Sequence, residues 1–313
     1  MLVPPVFVPD DFRVIFIVCP GKRRQFPIML MSPLPRRFFS AVPLLVASFL
    51  VLFVLAHTAR AADRDRLEAF LQVTGFDVAL ESIKLSAGAA PEMLGVDPGI
   101  FGSEWTRISA QVFDVPLMHD MALDILEETL SDDLLTHAAA FYASDLGQRL
   151  VEVENASHMR EDDEAKRDEG RVLVGEWVQN GNPRLEIIKR MNAAVDSTGS
   201  GARAFQEIQF RFLMAASAAG VVEMSVDADE LRAILAEDEE RLRLALRESG
   251  LASAASTYQS LSDAELTTYA EELEHPKMQQ VYVLMNAVQY EIMANRFEVL
   301  AARMAEMQPG QEL

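Results

Sequence analysis

Thiols are almost missing from this chain: Cys19 is its only cysteine. A single thiol excludes a disulfide framework within the chain and any site built from several cysteines. Positive charge is also scarce, with 28 Lys and Arg against 48 Asp and Glu and a formal net charge of −20. Residues 1–61 carry seven of the basic residues and two of the acidic ones, so the remainder holds 21 basic against 46 acidic. A surface of that sign repels polyanions, which makes nucleic acid a poor partner. Beyond residue 62 there is no sustained alternation of apolar and polar residues, which excludes the usual signature of half-buried strands.

Recognised catalytic signatures are missing as well. No G-x-S-x-G elbow and no Gly-rich phosphate loop occurs. Of the five histidines, His119, His137, His158 and His275 lie beyond residue 61, and no two share a local spacing such as H-x-x-x-H. His158 and Asp162 are four apart, but beside the run EDDE (161–164) they read as a solvated acidic face. DADE (227–230) begins like a calcium loop yet lacks its glycine and its final glutamate, and reads as an acidic helix N-terminus. No cofactor and no metal site is expected from these spacings. Catalysis by carboxylates that converge only in the fold is the one enzymatic route left open.

What the chain does contain begins with an address. From Met31 a short polar stretch with Arg36 and Arg37 is followed by an apolar run, Ala41 to Ala56, and then by Thr-Ala-Arg-Ala. Ala59 and Ala61 fit the small-x-small cleavage rule, which completes the three-part plan of a secretory signal peptide. Residues 1–61 are therefore read as an N-terminal extension and signal peptide whose true start is Met29 or Met31, and the mature chain as periplasmic. The alternative is an inner-membrane anchor at 41–56, although that run is shorter than the roughly 20 residues a spanning helix needs. Membrane contact is expected only through this segment, if it stays uncleaved.

The rest reads as helices, giving an all-α fold. In 276–307 the positions Met278, Val281, Met285, Val288, Ile292 and Val299 recur at intervals of three, four or seven. The stretch 230–249 is rich in strong helix formers, and 204–220 ends on Gly220. Ser262 with Glu265 forms a capping box, Ser131 precedes two aspartates, and Pro276 suits a first helical turn. Loops are expected near 88–99, 180–183, 196–203 and 221–228, where Gly, Pro, Ser and Asp cluster.

A shift of 131 residues superposes Leu130, Ser131, Asp132, Leu135 and Thr136 on Leu261, Ser262, Asp263, Leu266 and Thr267. Caps and breaks agree as well as helix formers, so the expected architecture is an array of two similar multi-helix halves, 62–180 and 181–313, behind the signal peptide. The segment AAAFYASDLGQRL resembles the signature of a bacterial family of exported helical proteins, the domain of unknown function twenty fifty-nine, in the pattern Phe-Tyr-x-Ser-x-x-Gly. Here those residues are Phe141, Tyr142, Ser144 and Gly147, and the resemblance spans roughly 63–160. In the second half Glu272 and Leu273 replace the aromatic pair and Met278 the glycine. The resemblance implies export and a helical fold, and no reaction.

Physically, the four signature residues read as structural: Ser144 caps a helix, Phe141 and Tyr142 anchor the preceding one, and Gly147 permits close helix approach. The functional expectation is a non-enzymatic binding or interaction protein of the bacterial envelope. Its partner is an unknown envelope protein or a small apolar ligand, held in a groove between helices. The alternative is an envelope hydrolase with a carboxylate-based site between the two halves.

Overall fold

The computed structural model describes residues 64–94 and 102–306. The signal segment, its start sites Met29 and Met31, and the apolar run 41–56 lie outside these residues. Among the described residues every regular element is helical. In chain order they are α1 (64–74), α2 (Phe76–Ser82), a 3-10 turn (Ile83–Ala89), α3 (Ala90–Met93), α4 (Gly102–Val112) and α5 (Val115–Thr129). Then follow α6 (Asp132–Tyr142), α7 (Asp145–His158), α8 (Asp163–Asn180), α9 (Arg184–Val195) and α10 (Gly201–Ala218). The last four are α11 (Ala228–Glu237), α12 (Glu239–Thr257), α13 (Asp263–Leu273) and α14 (Pro276–Met304). None of the described helices is long and apolar enough to cross a membrane.

Local chemistry sets the boundaries. Ser131, Ser144, Asp162 and Asp227 each accept a backbone N–H of the first turn that follows them. Ser262 and Glu265 form the reciprocal capping box that their spacing predicts. Gly181 closes α8 in the left-handed region (φ 58°), satisfying the carbonyls of Trp177 and Val178. Two expectations change. The stretch 230–249 is not one helix, because the chain breaks at Asp238. Four consecutive acids, 237–240, repel one another inside a helix, whereas the last three are favourable at the N-terminus of α12. The loop expected from residue 88 instead holds the end of the 3-10 turn and α3, whose Ala90, Pro91 and Met93 are buried.

α14 is the axis of the fold. Its 29 residues run about 43 Å at 1.5 Å per residue. Apolar residues on nearly every side let it pack against α4, α5, α6, α9 and α10. A second close pairing joins α8 to α12. There Gly170 is obligatory in size, since a Cβ on it would lie 1.8 Å from the Ala252 carbonyl oxygen. The main core is continuous from Leu67 to Met304, and a small satellite of Ala202, Phe205 and Leu242 stands apart from it. Arg184 fastens α9 to the α12–α13 corner, donating to the carbonyls of Tyr258 (2.6 Å) and Leu261 (2.8 Å) and to Asp263 (2.6 Å).

The two helix pairs picked out by the 131-residue shift have matching boundaries. α6 and α13 both span eleven residues behind a serine cap, and α7 and α14 both start three residues later. Their aligned side chains differ in setting. Phe141 is half-buried, stacked on Tyr269. Glu272 is half-buried beside His137, 2.8 Å from its Nε2 but without the alignment of a hydrogen bond.

Candidate functional site

The signature hairpin is built as its residue types dictate. Ser144 Oγ accepts the Gly147 N–H at 3.1 Å. A Cβ on Gly147 would lie 2.3 Å from the Phe141 carbonyl oxygen and 2.5 Å from Tyr142 Cα, so only glycine fits this corner between α6 and α7. Tyr142 is 1% exposed and points its hydroxyl into a polar cluster that sequence reasoning did not anticipate.

That cluster gathers four of the chain's five tyrosines around one carboxylate. Glu154 of α7 accepts from Tyr258 (2.5 Å) and Tyr269 (2.8 Å). The hydroxyls of Tyr142, Tyr269 and Tyr282 lie 2.5–3.1 Å from one another. Each phenol has one proton to give. With Tyr269 donating to Glu154, the Tyr142 and Tyr282 protons must form a directed chain ending on Tyr269. Glu154 thus accepts directly from the end of α12 and from α13, and the phenols of α6 and α14 reach it only through Tyr269. All four phenols are held above their ordinary range, first by burial and then by neighbouring charge, that of Glu154 for Tyr258, Tyr269 and Tyr282 and that of Tyr282 ahead of Glu154 for Tyr142. All four hydroxyls are enclosed, with none of these four tyrosines more than 1% exposed, so this is a polar lock within the core and offers no room to a ligand.

Room exists elsewhere. A pocket of about 730 Å³ opens between α9, the 196–200 turn, α10, α12 and α14. Small residues create it: Ala193, Gly201, Ala202 and Gly250 leave the wall thin where larger side chains would fill the gap. The turn into α10 is possible because Gly199 takes φ 63° and Asp196 accepts the N–H groups of Ser200 (3.0 Å) and Gly201 (3.4 Å). One wall, with Ala202, Phe205 and Leu246, belongs to the satellite apolar cluster. Val195, Ile208 and Met293, which also line it, belong to the main core. The pocket therefore borders both apolar clusters.

Polar and charged residues make up about half of its lining. Asn286 is 7% exposed and donates Nδ2 to the Val195 carbonyl at 3.0 Å, while its Oδ1 is buried without a partner. Asn192 Oδ1 is likewise buried and unpartnered. Tyr290 contributes a phenol raised above its ordinary range by burial and by the charge of Asp196. The pocket's charged residues are Lys189, Arg243, Arg247, Asp196 and Glu248. Among the described residues, no group of three His, Cys, Asp or Glu side chains is placed to hold a metal ion.

The structure brings none of the four signature residues to this pocket. Phe141, Tyr142, Ser144 and Gly147 belong to the α6–α7 corner, whereas the pocket is lined by the C-terminal half of α9 and the N-terminal half of α10 together with α12 and α14. Nor were Asn192, Phe205, Asn286 and Tyr290 legible as site residues. The one pointer in the sequence was the Gly-Ser-Gly run at 199–201, read only as a loop.

Residues 117–175 match the model of a family described as an uncharacterized protein conserved in bacteria (DUF2059). The match takes in α5, α6, α7 and most of α8, a later and shorter stretch than the 63–160 over which the resemblance was expected. It includes Tyr142 and Glu154 of the tyrosine cluster but none of the pocket's lining. No curated protein and no solved structure matches the chain.

Proposed function

We propose that this is an exported, non-enzymatic binding protein of the bacterial envelope that holds a small apolar ligand in the pocket between α9, α10, α12 and α14. The observation that carries the reading is the pocket of about 730 Å³ bordered by both apolar clusters. Native cores pack without voids of that size, whereas ligand sites fall between roughly 300 and 1,000 Å³ and are apolar with a few placed polar groups. Export to the periplasm rests on the signal-peptide plan of residues 31–61. The matched boundaries of α6–α7 and α13–α14 support descent of the two halves from one duplicated unit.

A hydrolase would need a carboxylate free to exchange protons within the cleft. Of the lining's two carboxylates, Asp196 is committed to two backbone amides and Glu248 is exposed to solvent, so neither has an enclosed acid–base setting, which favours binding over hydrolysis. Titration with the neutral apolar dye N-phenyl-1-naphthylamine tests the reading. Wild-type protein should show saturable 1:1 fluorescence enhancement, and Leu246→Trp, which narrows the pocket, should weaken it without lowering the melting temperature. Non-saturating enhancement, or equal binding by the narrowed variant, would remove the pocket as the site.

A further inference from the structure

Resting on the reading that this pocket holds a small apolar molecule, we infer that the molecule is an amphiphile whose single anionic head pairs with the guanidinium of Arg247 at the pocket mouth. Residues 62–313 hold 21 basic against 46 acidic residues, yet the pocket's lining reverses that balance with three basic and two acidic. Two of the three cations already have carboxylates: Lys189 that of Glu186 at 2.7 Å, and Arg243 those of Glu239 and Glu240. Arg247 is exposed and, among the described residues, has neither an ion pair nor a hydrogen bond. Of the described arginines only Arg203 shares that condition, and it does not line the pocket.

The sequence of α12 explains why Arg247 is left over. Its neighbours three and four positions away are Leu244, Gly250, Arg243 and Leu251, so its own helix offers it no carboxylate at pairing distance and one like charge. Arg243, Arg247 and Leu251, with Leu246 and Gly250 beside them, follow the three–four spacing of one helix face, and all five line the pocket. Glu248, also unpaired, is turned about 100° from Arg247 around the helix, toward the margin of that face. Asp196 spends both carboxylate oxygens on the amides of Ser200 and Gly201. The unpartnered charge on the pocket-facing stripe is therefore positive. A guanidinium at the mouth can meet a carboxylate with two parallel N–H donors. The head keeps part of its water there, and the apolar tail takes the interior.

Displacement of the dye from the full-length exported protein by decanoate, 1-decanol and decylammonium, at neutral pH and low ionic strength, tests the head group. Burial alone favours the alcohol, which has no charge to desolvate, so decanoate binding at least about fivefold more tightly than decanol requires a cation at the site. Decylammonium should be the weakest. Arg247→Gln should remove decanoate's advantage and leave decanol and the dye unchanged. Its melting temperature should be unchanged or higher, because a like-charge neighbour of Arg243 is gone. Arg203→Gln, which removes the same charge outside the pocket, should leave decanoate binding as it was. Decanol as tight as decanoate, decylammonium the tightest, or an advantage that survives Arg247→Gln or falls equally in Arg203→Gln would overturn the inference. Dye that binds but yields to none of the three probes would overturn it too and leave the pocket reading standing. Failure of the dye itself would bring down the pocket reading and the inference with it.

Discussion

Raising the pH should unfold the protein in one cooperative step that releases its buried phenols together. Tyr142, Tyr258, Tyr269 and Tyr282 are at most 1% exposed, and burial first, then neighbouring charge, holds all four above their ordinary range. In the unfolded chain a phenol titrates near 10. Stability is therefore complete below about pH 10 and falls as the pH climbs toward the folded values, because only the unfolded chain gives up these protons. Each phenol contributes about 1.4 kcal/mol per pH unit, so the four together remove roughly 5 kcal/mol per unit. A domain with a stability of about 5–15 kcal/mol cannot survive more than one to three units of that slope. Tyr290, which borders the pocket, adds to the slope only as far as water is kept from it. Absorbance at 295 nm should stay flat through pH 10 and then rise sharply, in step with loss of helical circular dichroism. Phenolate appearing gradually around pH 10 while the helical signal persists would show that water reaches the cluster and would refute the reasoning.

The same cluster and the corner beside it give two mutational expectations. Glu154→Leu removes the acceptor of Tyr258, whereas Tyr269 can turn to the hydroxyl of Tyr142 or Tyr282, 3.1 and 3.0 Å away. One stranded phenol should cost about 1–3 kcal/mol in urea unfolding, and adding Tyr258→Phe should restore part of it. Gly147→Ala gains up to about 1 kcal/mol of helix propensity but forces a Cβ against the Phe141 and Tyr142 backbone. Overpacking of that kind costs about 1–3 kcal/mol, so a net loss is expected in the same assay, and an unchanged midpoint would mean the corner is looser than it looks. For export, N-terminal sequencing of protein recovered from the periplasm should start near Ala62, and peptides from residues 1–40 on the native protein would contradict it.

Helical class and most boundaries were readable because they depend on neighbours within one turn. Ser144 finds its acceptor role three residues on, and Ser262 meets Glu265 at the same interval. The break at Asp238 was missed because strong helix formers on both sides hide a short acidic run that the fold uses as a start. Glu154 gathers tyrosines 104 and 115 positions away, and no local pattern connects them. The pocket is harder still to read, since it is made by what four helices fail to fill. Asn286 looks like any other residue of a buried helix until Val195 takes its amide nitrogen and leaves the oxygen alone. The signature residues were conspicuous for the opposite reason, as a cap and a steric requirement concentrated in seven positions.

Native mass spectrometry of the protein isolated gently from a bacterial envelope puts the binding reading to its most direct trial. Wild-type protein should carry one small apolar molecule per chain, lost on collisional activation, and Leu246→Trp prepared in parallel should carry less of it. Wild-type protein whose mass is that of the bare chain, or an adduct retained equally by the narrowed variant, would contradict the account.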